Sequence, residues 1–154
     1  MAKTALNIAK TYNNGFIANF ENNKYFQLNK NATARADLYF FAIACAMMEK
    51  KEPTTLQTVG SIDSFVRIEY LKDDCPALLS SLYYEKILKD EPDKIDDICN
   101  RDEVYELAEK YANTGFGILK EWSESLEEEA LFYKLIAYMD KKYEEIKDEV
   151  NKYI

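Results

Sequence analysis

Leu38-Tyr39-Phe40-Phe41-Ala42-Ile43-Ala44-Cys45-Ala46-Met47-Met48 is the longest uninterrupted apolar run of this chain, and its length decides how the fold is read. Coiled as a helix it reaches only about 16 Å, roughly half a bilayer core, so it belongs inside a protein and not across a membrane. Asn31 stands ahead of it as a candidate cap, and Ala32, Ala34 and Ala36 have high helix propensity. The expectation is a central helix from Asn31 to Lys51, buried on nearly every side and ended by Pro53.

The flanking segments read as further helices. Ala2 to Tyr12 fits a short helix closed by the turn Asn13-Asn14-Gly15, and Phe16 to Leu28 fits an irregular loop or a marginal hairpin. Beyond Gly60, Ser61 or Asp63 can cap a helix carrying Phe65, Val66, Ile68, Tyr70 and Leu71. Asp74-Cys75-Pro76 opens the next, which runs to about Lys89 with Leu78, Leu79, Leu82, Tyr83 and Ile87 on its inner face. After a break at Glu91-Pro92, a short turn holds Ile95 and Ile98, and Asn100 with Glu103 offers an amide variant of the capping box. Val104, Leu107, Ala108, Tyr111, Gly115, Ile118, Leu119 and Trp122 then recur at helical spacing. Ser125 with Glu128 forms a capping box for a last helix that no Gly or Pro interrupts.

These segments predict an all-α fold: a single compact domain over 1–154 with at least five helices, a helical core over 1–124 and a long C-terminal helix over 125–154 carrying a heptad seam. A chain of 154 residues that is 47% hydrophobic can bury a core without disulfides or a structural metal. Cys45, Cys75 and Cys99 are odd in number and widely spaced, which suits neither a disulfide framework nor a paired zinc site. With no signal-like or anchor-like stretch after Met1-Ala2-Lys3-Thr4, the expected location is the cytoplasm.

Residue types bound the chemistry. Histidine is absent, which removes the usual general base near neutral pH, the usual partner of a Ser or Cys nucleophile and the commonest transition-metal ligand. The four glycines are scattered, so no phosphate-cradling loop is formed. Cys75, at a helix start, could have its thiol acidified by the exposed amides, but Asp73 and Asp74 oppose that. The carboxylate clusters Asp93-Asp96-Asp97 and Glu127-Glu128-Glu129 lack calcium-loop spacing and complement helix N-termini. The expectation is therefore a protein that is not an enzyme, with no catalytic residue, metal site or cofactor.

Two surfaces carry a binding reading. Phe132, Ile136, Met139, Tyr143, Ile146, Val150 and Tyr153 alternate at spacings of four and three, and past Tyr143 only this narrow seam survives among charges. Tyr143, Ile146, Val150 and Tyr153 are the expected interface with a second copy or another protein. The second surface follows from a charge split hidden in the total of −8. Residues 1–52 hold seven Lys or Arg against four acids, a net of +3, while the remainder carries −11. Lys24, Lys30 and Arg35 straddle the approach to the central helix with Tyr25 and Phe26 among them, so a phosphate-facing surface is expected there.

Three segments together carry a family resemblance: Lys24 to Lys30 leading into Ala34 to Met48; Ser64-Phe65-Val66-Arg67 followed by Tyr70-Leu71 and the leucine-rich stretch to Tyr83; and Ala108 to Leu119 with Asn113 and Gly115. Across roughly residues 24–119 the chain resembles DndE, the small helical accessory protein of the bacterial DNA phosphorothioation system. The resemblance implies an all-α fold, an oligomer, and DNA contact through lysines, which here fall on Lys24, Lys30 and Arg35, with Arg67 as a structural or binding arginine. The function expected is a non-enzymatic binding or accessory protein in bacterial DNA modification or defence. The alternative is an acidic helical adaptor or inhibitor, of the phage-encoded, DNA-mimicking kind, whose negative C-terminal half occupies a protein partner.

Overall fold

A computed structural model describes residues 2–26, 32–56 and 62–154. The fold is mostly helical, 71% by residue, with six α-helices and one two-stranded sheet among the described residues. In chain order these are β1 (Ala5–Ala9), α1 (Lys10–Asn13), α2 (Ile17–Glu21), α3 (Ala32–Met48), β2 (Ile62–Arg67), α4 (Cys75–Asp90), α5 (Arg101–Ser125) and α6 (Glu128–Asn151). Short 3-10 stretches at Ile68–Tyr70 and Pro92–Cys99 bracket α4.

The molecule is centred on α3 crossing α5. Tyr39, Ala42, Cys45 and Ala46 of α3 are completely buried, as are Ala108, Phe116 and Leu119 of α5. Gly115 lets the two backbones meet: a Cβ built there would lie 1.7 Å from the carbonyl oxygen of Ala42. Asn113 and Thr114, beside it, fasten the chain that follows α3. The Asn113 amide donates to Thr54 Oγ1 at 3.0 Å, and the Thr114 hydroxyl donates to the Glu52 carbonyl at 3.0 Å.

The sheet corrects the all-α expectation at two places. Residues 2–12, read as a helix, instead form β1 and the single turn of α1; the segment after Ser61, also read as a helix, forms β2, antiparallel to β1. Leu6 pairs with Val66 and Asn7 with Ser64, so Phe65 has no opposite residue and the strand bulges there. The bulge turns both Phe65 and Val66 into the core, 5% and 2% exposed. Leu6 and Ile8 project from β1 to the same side, both buried.

Other boundaries shift as well. Phe16 to Leu28, expected to be irregular, includes α2, with Ile17 and Phe20 buried. Lys30 and the proposed cap Asn31 lie outside the described residues. The central helix stops at Met48, not at Pro53, because Lys50 takes a left-handed turn (φ 53°) while the amides of Lys50 and Lys51 bond back to the carbonyls of Met47 and Ala46. In α4, Leu79, Leu82 and Tyr83 are buried as expected but Leu78 is exposed. Asn100 caps α5 by accepting from the Asp102 amide, whereas Ser125 is the last residue of α5 and bonds back to Glu121. The residue ahead of α6 is Glu127, which makes no side-chain cap, so the expected capping box there is not formed.

The high aromatic content is largely core. Rings of Tyr12, Phe16, Phe20, Tyr39, Phe65 and Phe116 form a chain of edge and tilted contacts with centroids 5.6–6.3 Å apart.

Candidate binding surfaces

The outer surface of α6 follows from how little of the helix the body covers. Leu131 and Leu135 are buried, Phe132 stacks near Tyr25 and Phe26, and Tyr138 meets Trp122 with ring centroids 4.9 Å apart. Lys142 Nζ reaches Glu49 at 3.6 Å, and beyond it residues 143–154 are all exposed. Ile136, Met139, Tyr143, Ile146 and Val150 are between 37% and 65% exposed and lie in one row along the helix. The flanks of the row are charged, with internal ion pairs such as Lys147–Glu144 and Lys141–Glu145. Phe132, placed in the same row by the sequence, is partly covered by the body. Tyr153 lies past the last helical residue, almost fully exposed.

The N-terminal basic residues have individual settings. Lys24 is exposed, its ammonium 5.1 Å from the centre of the Tyr25 ring. Arg35 is held from two sides, by Glu21 at 2.8 Å and by the Phe65 ring at 4.8 Å, which fixes the start of α3 on α2 and β2. Arg67 is largely exposed at the end of β2, pairs with Glu69 at 3.3 Å, and lines a shallow depression with Lys3, Thr4 and Ser64.

A further group of cations was not legible from the sequence. Lys50 and Lys51, after α3, meet Lys86 and Lys89 of α4 around an open cleft of about 430 Å³ that also contains Tyr111, Glu52 and Glu85. Lys86 is the most restrained of them, held between Glu52 and Asp90 (2.6 Å to the latter), and those two hydrogen bonds raise its pKa well above that of a free lysine. The one signal in the sequence was the adjacent pair Lys50-Lys51; that α4 lies alongside is a property of the fold.

Buried ionisable groups serve the scaffold. The Glu109 carboxylate accepts from the Asn7 amide at 2.9 Å and from Lys3 Nζ at 3.1 Å, riveting β1 to α5; burial raises its pKa above 4.5 against the pull of these two partners. The Tyr39 hydroxyl donates to the Asn7 carbonyl at 2.8 Å. Burial pushes the Cys45 thiol up to about 12, with Glu49 adding to the effect. Cys75 is buried and its pKa is likewise raised, by burial first, with Asp74 and Asp37 adding; the Lys72 backbone amide and ammonium counter only in part. The acidification that a helix start can give a thiol is therefore outweighed at Cys75. Cys99 is exposed.

Among the described residues, no three Cys, Asp or Glu side chains converge in a way that could hold a metal ion, and no helix is long and apolar enough to cross a membrane. Comparison with known protein families, with characterised proteins and with solved structures finds no match to this chain.

Proposed function

We propose that this chain is a non-enzymatic binding protein that works within an assembly and associates through α6. One observation carries the reading: Ile136, Met139, Tyr143, Ile146 and Val150 stand exposed in a single row with the three-and-four spacing of a helix seam. Single exposed apolar side chains are ordinary, but a continuous row on a helix that projects past its own body is a surface that association would remove from water. The charges beside the row keep the rest of the helix solvated and leave the seam as its one adhesive line.

The resemblance to DndE gives the assembly a setting, an accessory role in bacterial DNA modification or defence in the cytoplasm. DNA contact then falls to the N-terminal third, through Lys24, Lys30, Arg35 and Arg67. In support, Lys24 is exposed beside the face of Tyr25, a pairing of cation and ring suited to nucleic acid. A second reading, the acidic adaptor that mimics DNA, is favoured by the exposed carboxylates of Asp93, Asp96 and Asp97 on the 3-10 stretch before α5.

Sedimentation of the pure chain beside a version cut after Lys142 tests the assembly. The full chain is expected to be an oligomer and the shortened one a folded monomer; equal numbers of subunits per particle would overturn the reading. Titration with duplex DNA at about 50 and 200 mM salt separates the two settings. Binding that weakens steeply with salt and is lost on replacing Lys24 and Lys30, with Arg35 kept because it holds α3 on α2 and β2, supports DNA contact, and absence of binding at the lower salt removes it.

A further inference from the structure

We infer that the α6 seam is covered by α6 of a second copy of this chain, the two helices running antiparallel about a two-fold axis that passes between residues 144 and 145. The inference rests on the reading of α6 as the association element and adds the identity, direction and register of its partner.

The apolar residues set the register. With Tyr143 placed opposite the partner's Ile146, Met139 falls opposite the partner's Val150, and Ile136 lies toward the partner's Tyr153 in the turn just past the end of its helix. Symmetry repeats each contact, so all six seam residues from Ile136 to Tyr153 meet an apolar side chain. Each of the six is exposed in the single chain.

The flanking charges decide the direction. Asp140 and Lys147 lie along one side of the seam, Lys142 and Glu149 along the other. In an antiparallel pair, residues of the same flank face each other across the interface. The register fixed by the apolar residues puts Asp140 against the partner's Lys147 and Lys142 against the partner's Glu149. Each occurs twice, and every one of the four contacts joins opposite signs. Parallel helices in register would instead bring Lys142 against the partner's Lys147 on both sides, a repulsion. Among the described residues, Asp140 and Glu149 make no ion pair within their own chain, whereas Lys147 already holds Glu144 at 3.7 Å and Lys142 holds Glu145 at 3.1 Å and Glu49 at 3.6 Å, so each lysine adds the partner's carboxylate to one it already has.

The shape of the protomer permits the arrangement. The body covers α6 only as far as Lys142, so in an antiparallel pair the two bodies sit at opposite ends, each beside the bare half of the other's helix.

Disulfide trapping in the full-length chain, with Cys99 replaced by serine, tests direction and partner together. Met139→Cys and Val150→Cys are made as separate proteins, oxidised alone and as a mixture. Each alone is expected to stay uncrosslinked, because eleven residues of helix hold like positions about 16 Å apart in an antiparallel pair, far beyond disulfide reach. The mixture is expected to give a crosslinked dimer. In sedimentation, Lys147→Glu should weaken dimerisation about tenfold by opposing Asp140, and adding Asp140→Lys should restore it. Crosslinking of either variant alone, or strengthening by Lys147→Glu, would overturn the antiparallel pair while leaving association through α6 intact. A full-length chain that sediments as a monomer at high concentration would overturn both.

Discussion

Gly115 and Gly117 sit two residues apart on α5 and differ in what they do. A methyl group at Gly115 would collide with the carbonyl oxygen, carbonyl carbon and Cα of Ala42, all backbone that cannot step aside without moving α3. Gly115→Ala is therefore expected to cost about 1–3 kcal/mol or more, as for other overpacked cores. At Gly117 the nearest atom is the Tyr12 hydroxyl oxygen at 3.5 Å, an ordinary contact. There the gain in helix propensity dominates, and Gly117→Ala should raise stability by up to about 1 kcal/mol. Urea unfolding of the two variants checks the contrast, and equal effects would show that the helix crossing is not as tight as described. Glu109 bears on pH dependence in the same region. Because its pKa is raised in the folded state, the folded chain holds the proton more tightly than the unfolded one. Its contribution to stability is thus greatest below about pH 4.5 and declines as pH rises through the folded value. Glu109→Gln keeps an acceptor for the Asn7 amide and removes the titration. The variant should gain stability relative to the parent between about pH 4 and pH 6, read from unfolding midpoints across that range. A difference between the two proteins that stays constant with pH would argue against this account.

At the scale of elements, what could be read from the chain depended on how local the cause was. The start of α4 at Cys75-Pro76, the Asn100 cap and the long α5 were legible because caps, proline and helical spacing act within a few residues. The strands were not. Ala5-Leu6-Asn7-Ile8-Ala9 has composition suited to a helix, and its strand partner lies more than fifty residues away. The bulge at Phe65 also places two successive side chains in the core, which erases the alternation by which β2 would have been recognised. The end of α3 is a similar case: Pro53 was the visible stop, while the real one is a left-handed lysine where glycine is the usual residue. Lys50→Gly should stabilise the fold by about 1 kcal/mol by relieving that conformation, seen as a higher unfolding midpoint. A loss of stability would mean that the Lys50 side chain contributes more than its backbone costs.

For the whole molecule, the two surfaces proposed for binding differ in how far their exposure could be foreseen. On α6 the row of side chains follows from the spacing of the sequence alone, and Ile136, Met139, Tyr143, Ile146 and Val150 are each exposed in the single chain. The basic surface was less foreseeable, since charge counts say how many cations a segment holds and not where they point. Arg35 turned out to be committed to Glu21 and Phe65, and the cleft between α3 and α4 gathers lysines from parts of the chain more than thirty residues apart. The tie between β1 and α5 also governs the order of events during synthesis. The Asn7 amide and the Lys3 ammonium gain their carboxylate only once Glu109 exists, about a hundred residues later, and pairing with β2 must likewise wait until residues 62–67 have been made. Until α5 has left the ribosome, the nascent chain holds Leu6 and Ile8 without a core to receive them. Folding is therefore expected to close only after α5 has emerged, in one cooperative step, and not to proceed from the first residues onward.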